Sequence, residues 1–296
     1  MSEIPEPDRK ALKLVRDHSR RWQNNRYVYP VISRRSRGLS VGINLNPDTA
    51  CNFDCIYCQV DRSDPDRGAK VDLAVLDAEL REMIEEIVAG RFFDEPRFRD
   101  VPQDMKEFRD IAFSGDGEPT ASPKFLDAVR IAARLKDEFR LDGVKIVLIT
   151  DACYLARPKV RQALEVMDGH NGEIWAKLDA GTEDYFRLVN RPNIPLREVL
   201  ENIIDAARAR EIVIQSLWMH IRDQPPPDAE VRAFADRLNE IQAAGGRIKL
   251  VQVHTIARKP AEPHVTALSP SQVERIADLV SQHARVRAEA YYAPED

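Results

Sequence analysis

The segment "CNFDCIYCQV", residues 51–60, holds three of the chain's four cysteines. Cys51, Cys55 and Cys58 follow the spacing C-x3-C-x2-C, and Asn52 and Asp54 suit a tight loop that lets the thiolates converge. Grouped thiolates are ligands for soft metals. A closed zinc site or a ferredoxin-type cluster takes four protein ligands, so a fourth must be found or the site stays open. Cys153, in "DACYLA", is the remaining thiol. Either it closes a noncatalytic iron–sulfur or zinc site, or it is a small buried residue and three thiolates leave one metal position free. An open position is what catalysis needs.

A second segment with chemical content is "FSGDGEPT", residues 113–120. Gly115 and Gly117 permit a close backbone approach that a Cβ would block. Asp116 and Glu118 supply carboxylates, and Pro119 stiffens the exit. A third is the stretch from His18 to Gly38, which carries Arg20, Arg21, Arg26, Arg34, Arg35 and Arg37, no acidic residue, and interleaved aromatics. It reads as a solvated N-terminal arm over residues 1–38, or as a binder of phosphate or RNA.

The elements that must position these groups repeat in a βα rhythm. Strand-like runs occur at 39–45, then near 110, 144, 173, 211 and 247, with a weak one near 285. Helical patterns fall between them, at 71–90, 122–138, 157–167, 196–210, 228–244 and 270–283. Right-handed crossovers then give a parallel sheet. The fold class expected is α/β, a partial (β/α)6 TIM-type barrel with parallel strands over residues 39–290, followed by a short tail, 291–296. Chemistry in such folds sits at the carboxyl ends of the strands. The cysteine loop and the Gly115 loop both obey that rule.

The two motifs together resemble the radical S-adenosylmethionine (SAM) superfamily. C-x3-C-x-aromatic-C, with Tyr57 as the aromatic, is its signature, and Gly115, Asp116, Gly117 and Glu118 resemble its "GGE" segment, with Asp116 as a departure. "PVISRRSRGLSVGINLNPDTACNFDCIYCQV", "KLDAGTEDYFRLVNRP" and "VQVHTIARKPAE" extend the likeness to a wyosine-synthase-like group of iron–sulfur oxidoreductases. The resemblance implies a [4Fe-4S] cluster on Cys51, Cys55 and Cys58. It also implies S-adenosyl-L-methionine on the cluster's open iron, reductive cleavage of that cofactor, and hydrogen abstraction from substrate. Further cofactor contacts implied at strand ends are Tyr57, Asp151, Lys177, Asp179, Val253 and His254. A low-potential electron donor of flavodoxin or ferredoxin type is implied as partner.

Gln215, Trp218, His220 and Arg258 are substrate-side candidates, and "NRP" at 190–192 has no role readable from sequence. No cysteine precedes Cys51, so the second cluster expected of wyosine-forming relatives lacks ligands in these residues. The class expected is therefore a single-cluster enzyme: a glycyl-radical activase, a rearrangement enzyme, or a modifier of RNA or peptide. Net charge is −5 and 31% of residues are charged, so the surface as a whole does not suggest nucleic-acid binding. Sparse cysteines, the lack of a long apolar run and the polar start suggest a cytoplasmic chain that does not enter membranes.

Overall fold

The computed structural model describes residues 22–49, 51–60, 70–258, 260 and 262–293. The first 21 residues of the expected arm and the last three of the expected tail lie outside them. An eight-stranded sheet forms the body, in the order β1 (Val28–Ser33), β2 (Gly38–Ile43), β3 (Phe108–Phe113), β4 (Lys145–Thr150), β5 (Gly172–Lys177), β6 (Glu211–Leu217), β8 (Arg247–His254) and β10 (Ala288–Tyr291). β1 and β2 form an antiparallel hairpin, and every other pairing is parallel. β1 and β10 are the two edges, so the barrel is open, as expected of a partial one. A small ribbon, β7 (His220–Ile221) with β9 (Val265–Thr266), stands apart from the sheet.

The crossovers carry α1 (Leu73–Val88), α2 (Phe125–Glu138), α3 (Pro158–Asp168), α4 (Glu183–Asn190), α5 (Leu196–Ala209), α6 (Asp228–Ala243) and α7 (Pro270–Ala284). Their starts have local causes. Asp72 accepts the Ala74 and Val75 N–H groups, and Ser269 with Gln272 makes a capping box around Pro270. Among the described residues no helix is long and apolar enough to cross a membrane.

Strand alternation divides the side chains between two environments. One face packs Ile43, Ile111, Ile146, Leu148, Ile174, Ile212 and Val251 against the helices, all nearly inaccessible to solvent. The inward face bears a thinner apolar belt, Ala112, Val147, Trp175 and Val213. Above that belt the inward positions turn polar, with Lys177, Gln215 and His254 opening on a cavity of about 930 Å³.

β1 lies within the segment expected to be an arm. It reads poorly as a strand because Pro30 interrupts it, and Pro is tolerated there because β1 is an edge. Glu79 of α1 fixes it, its carboxylate accepting the N–H groups of Arg26 at 2.7 Å, Tyr27 at 2.9 Å and Val28 at 3.1 Å. Across the open side, the Arg34 guanidinium donates to the Tyr292 carbonyl, joining the hairpin to the far edge of the sheet.

Candidate functional site

The cysteine loop follows β2 and is docked by the end of α4. The last carbonyls of a helix lack intrahelical partners. Here Val189 O and Asn190 O accept the N–H groups of Ile56 at 2.9 Å and Asp54 at 3.0 Å. Asn190 adds side-chain contacts, its amide donating to Cys55 Sγ at 3.4 Å and to Asp179 Oδ2 at 2.8 Å. The "NRP" segment thus holds the thiol loop. Arg191 takes a left-handed conformation (φ 44°) that ends the helix at this point.

All four cysteines are free: Cys51 exposed, Cys58 half-buried, Cys55 and Cys153 buried. Cys51, Cys55 and Cys58 line the cavity, and Cys153 does not. Although Cys51 is exposed, desolvation by the cavity walls around it, then Asp151, pushes its thiol up to about 11, and burial raises Cys55. The opposing influence is Lys177. Burial works against its charge, but Cys55, Asp179, Cys51 and Cys58 together lift its pKa above the ordinary lysine value. Its ammonium lies 4.8 Å from the centre of the Tyr57 ring. Among the described residues, no three His, Cys, Asp or Glu side chains are gathered about one point as a single-ion cage would need.

The Gly115 loop follows β3. Asn44, just past β2, organises it. Asn44 Oδ1 accepts the Asp116 N–H at 3.2 Å, and Asn44 Nδ2 donates to Asp116 Oδ2 at 2.6 Å. A Cβ on Gly115 would run into this amide, which is why glycine is required there. Sequence reasoning missed Asn44, although its place directly after a barrel strand was a usable signal.

The nominated carboxylates divide by environment. Glu118, 2% exposed, is a keystone between two loops. Its Oε1 accepts the Thr120 N–H at 3.0 Å, the Thr120 hydroxyl at 2.5 Å and the Thr150 hydroxyl at 2.7 Å. Its Oε2 accepts the Asp151 N–H at 2.7 Å. Asp179 is occupied in the same way, by the Tyr57 hydroxyl, Asn190 and the Leu217 N–H at 2.9 Å. Asp151 is different. One oxygen accepts the Cys153 N–H at 2.9 Å, while Oδ2, buried on the cavity wall, has no partner among the described residues. Burial, then Glu118, raises its pKa well above the carboxylate range. Ser216 Oγ is likewise unpartnered among the described residues, but Ser216 pairs with Val253 and shares the helix-side face of the sheet.

His254 lines the cavity at the end of β8, its ring stacked on Tyr291 at 5.0 Å between centres. Burial, then Arg35, Arg34 and Lys177, depresses its pKa well below 6.5. Gln215 lines the cavity too, donating to Gln252 Oε1 at 2.9 Å. Three nominated side chains lie elsewhere. Val253, between inward-facing Gln252 and His254, points into the helix-side core. Trp218 is fully buried against Phe234. His220 sits on the small ribbon, bonded to the Ala267 carbonyl and Gln272. Cys153 packs in the core beneath the loops, its carbonyl accepting from Asn202 at 2.9 Å. Arg34 and Arg35, read as part of a solvated arm, line the cavity instead.

Residues 45–235 match the Radical SAM superfamily. A "GTPase Obg" of Brachyspira hyodysenteriae is 23% identical over 258 residues, covering 86% of this chain and 33% of that protein. A UPF0026 protein of Helicobacter pylori strain J99 is 24% identical, covering 73% of this chain and 62% of that one. The chain therefore spans from a third to under two thirds of these relatives. Two solved structures are similar. "Structure of TYW1 with a lysine-pyruvate adduct bound" gives 16% identity, TM-score 0.48, and coverage of 83% of this chain and 74% of that one. Archaeal TYW1 gives 14%, 0.45, 83% and 72%.

Proposed function

Because this chain belongs to the radical SAM superfamily, we propose that it is an enzyme that cleaves S-adenosylmethionine reductively at a [4Fe-4S] cluster and abstracts hydrogen from a substrate in the barrel lumen. One observation carries the reading. Three free thiols and the Gly115–Glu118 loop, far apart in sequence, open on one cavity at the carboxyl ends of parallel strands. That is where α/β folds place chemistry.

The residues present fit these groups. The donor set is all sulfur, as iron–sulfur clusters require. A cluster takes each thiolate on a different iron, so thiols that share a wall without meeting at one point suit it better than a single zinc ion. Asp151 Oδ2 is a buried polar atom on the cavity wall without a partner among the described residues, and a ribose hydroxyl or an amino group would satisfy it. Cys51, Cys55 and Cys58 would hold the cluster. Asp151, the backbone of Gly115–Gly117, His254 and Lys177 would face the nucleoside and its amino-acid end. Glu118, Asp179 and Tyr57 act one layer behind, fixing loops. Val253 contributes through backbone alone.

When bound, the cluster and cofactor supply one-electron reduction and a hydrogen-abstracting equivalent; the chain supplies orientation and charge. Lys177 balances thiolate charge from one side of the site. Neutral His254 offers a flat, uncharged surface stacked on Tyr291. The Tyr57–Asp179–Asn190 bonds lock the cysteine loop to β5, β6 and α4, which limits its motion during turnover. The apolar belt under the site excludes water from below. A low-potential donor of flavodoxin or ferredoxin type would deliver the electron.

The test is anaerobic reconstitution followed by reduction with SAM. About four irons per chain and formation of 5′-deoxyadenosine are expected. A reconstituted chain that retains no cluster, or yields no deoxyadenosine under strong reductant, refutes the reading.

A further inference from the structure

Arg35 is a cation placed where a protein seldom leaves one unpaired. It sits at the tip of the β1–β2 hairpin, and its guanidinium reaches into the lumen, 4.9 Å over the Trp175 ring. Among the described residues, that ring is its one close partner. Asp110 is the acid that acts on it most strongly, but its Oδ1 accepts the Ser40 hydroxyl at 2.5 Å, and burial raises its pKa above the ordinary aspartate value. Burial likewise lowers Arg35 to about 10. Arg35 is half-buried, and a partly desolvated charge without a hydrogen-bonded partner is costly, a cost recovered when an anion binds.

The lumen has two electrostatic poles. At one, Lys177 answers the three thiols and Asp179. At the other, Arg35 lies in the field of Asp110, Arg34, Tyr291 and Arg258. The thiol pole is the cofactor's. On the open side of the barrel beside this pole, the Arg34 guanidinium donates to the Tyr292 carbonyl. A guanidinium has a planar, two-pronged donor edge, the geometry that carboxylates and phosphates accept, and its contact over the Trp175 ring limits where that edge can go.

We propose that Arg35, lying over Trp175, binds an oxyanion of the substrate, a carboxylate or a phosphate, inside the lumen on the side away from the thiols. The proposal rests on the reading above that substrate occupies this lumen. The cavity, about 930 Å³, is at the large end of small-molecule sites, with room for a nucleoside cofactor and a small organic acid or phosphate ester together. The anionic group would anchor the substrate, leaving its carbon skeleton to extend toward the cofactor.

The experiment is a binding titration of the full reconstituted chain under anaerobic conditions at constant ionic strength, with inorganic phosphate, acetate and chloride as probes. Saturable one-to-one binding of phosphate or acetate, but not chloride, is expected, and the oxyanion that binds names the substrate's anionic group. Binding should persist at saturating SAM and perturb Trp175 fluorescence, a signal absent in Trp175→Phe. Arg35→Gln should weaken it at least tenfold, while Arg210→Gln, which removes an outer ion pair to Asp168, should not. If Arg35→Gln does not fold, Arg35→Lys keeps the charge, loses the fork, and should bind measurably more weakly. No saturation by either oxyanion, equal affinity in the Arg35 variants, or displacement by SAM overturns the proposal. The titration does not depend on turnover. A chain that binds the anion yet forms no deoxyadenosine sinks only the earlier reading, and the reverse result sinks only this one.

Discussion

Glu118 tests most directly whether a motif carboxylate serves the cofactor or the fold. In Glu118→Gln the shape is kept and one acceptor oxygen becomes an NH2 donor. If the amide oxygen faces the Asp151 N–H, the NH2 faces the Thr120 N–H; reversed, it faces Asp151. The hydroxyls of Thr120 and Thr150 can rotate to accept, but a backbone N–H cannot. One buried N–H is orphaned either way, and Thr150 is also needed as acceptor for the Ala152 N–H at 3.0 Å. An orphaned buried donor costs about 1–3 kcal/mol. At roughly 2–4 °C per kcal/mol for a large domain, the melting temperature should fall by about 5 °C. The assay is thermal unfolding of the cluster-free chain without SAM, alongside SAM binding to the reconstituted chain. A keystone role predicts the stability loss in the absence of any cofactor. An unchanged melting temperature with lost SAM binding would show that Glu118 is a cofactor ligand and that its bonding here has been misjudged.

Other outcomes follow from single contacts. Asn190→Leu removes the N–H donated to Cys55 Sγ, and hydrogen bonds to cluster sulfurs favour the reduced form. The midpoint potential should drop by tens of millivolts, where about 59 mV is a tenfold change for one electron, as redox titration followed by electron paramagnetic resonance will show. His254 has a folded pKa below its unfolded value, so it favours the fold above about pH 6.5 and that contribution is lost as pH falls. Between pH 6.5 and 5, His254→Gln should flatten the decline in stability by up to about 1.4 kcal/mol per pH unit; parallel urea-unfolding curves for both proteins would contradict this. Glu79→Gln should cost about 2 kcal/mol, because three backbone N–H groups of the edge strand share its carboxylate. Proteolysis near residues 22–28 should speed up with it.

The strands and the thiol loop were legible because each leaves a one-dimensional trace: alternation for β3 to β6, close cysteine spacing for the loop. What lies behind the loop was not. Asn190 and Asp179 meet the cysteine segment only through the turn of α4, a short helix whose few residues gave no usable period. Glu118 and Asp179 look in sequence like Asp151, since all three are acids at strand ends. They differ in how many donors the surrounding chain aims at them, two backbone N–H groups and two hydroxyls for Glu118, one N–H and two side chains for Asp179, and one N–H for Asp151, a property of the tertiary path. Val253 and Trp218 fell on the wrong side for a related reason. A one-residue change in register exchanges the two faces of a strand, and no local signal fixes that.

The arginines of the hairpin show why composition misleads at such positions. A run of like charges is most often a solvated face, and Arg37 is indeed exposed. Yet the β1–β2 turn is short and bends across the open side of the barrel, so its neighbours Arg34 and Arg35 are carried inward. Arg34 then meets the carbonyl of Tyr292, and Arg35 meets Trp175. An open barrel needs a cover between its edge strands, and a closed one has no such gap to fill. Building that cover from arginine places a fixed positive charge opposite the thiol wall. On the proposal above, a substrate carrying one negative end would be drawn to Arg35, leaving its other end directed toward the cysteines. Covering the open side and orienting a substrate would then be consequences of the same two side chains.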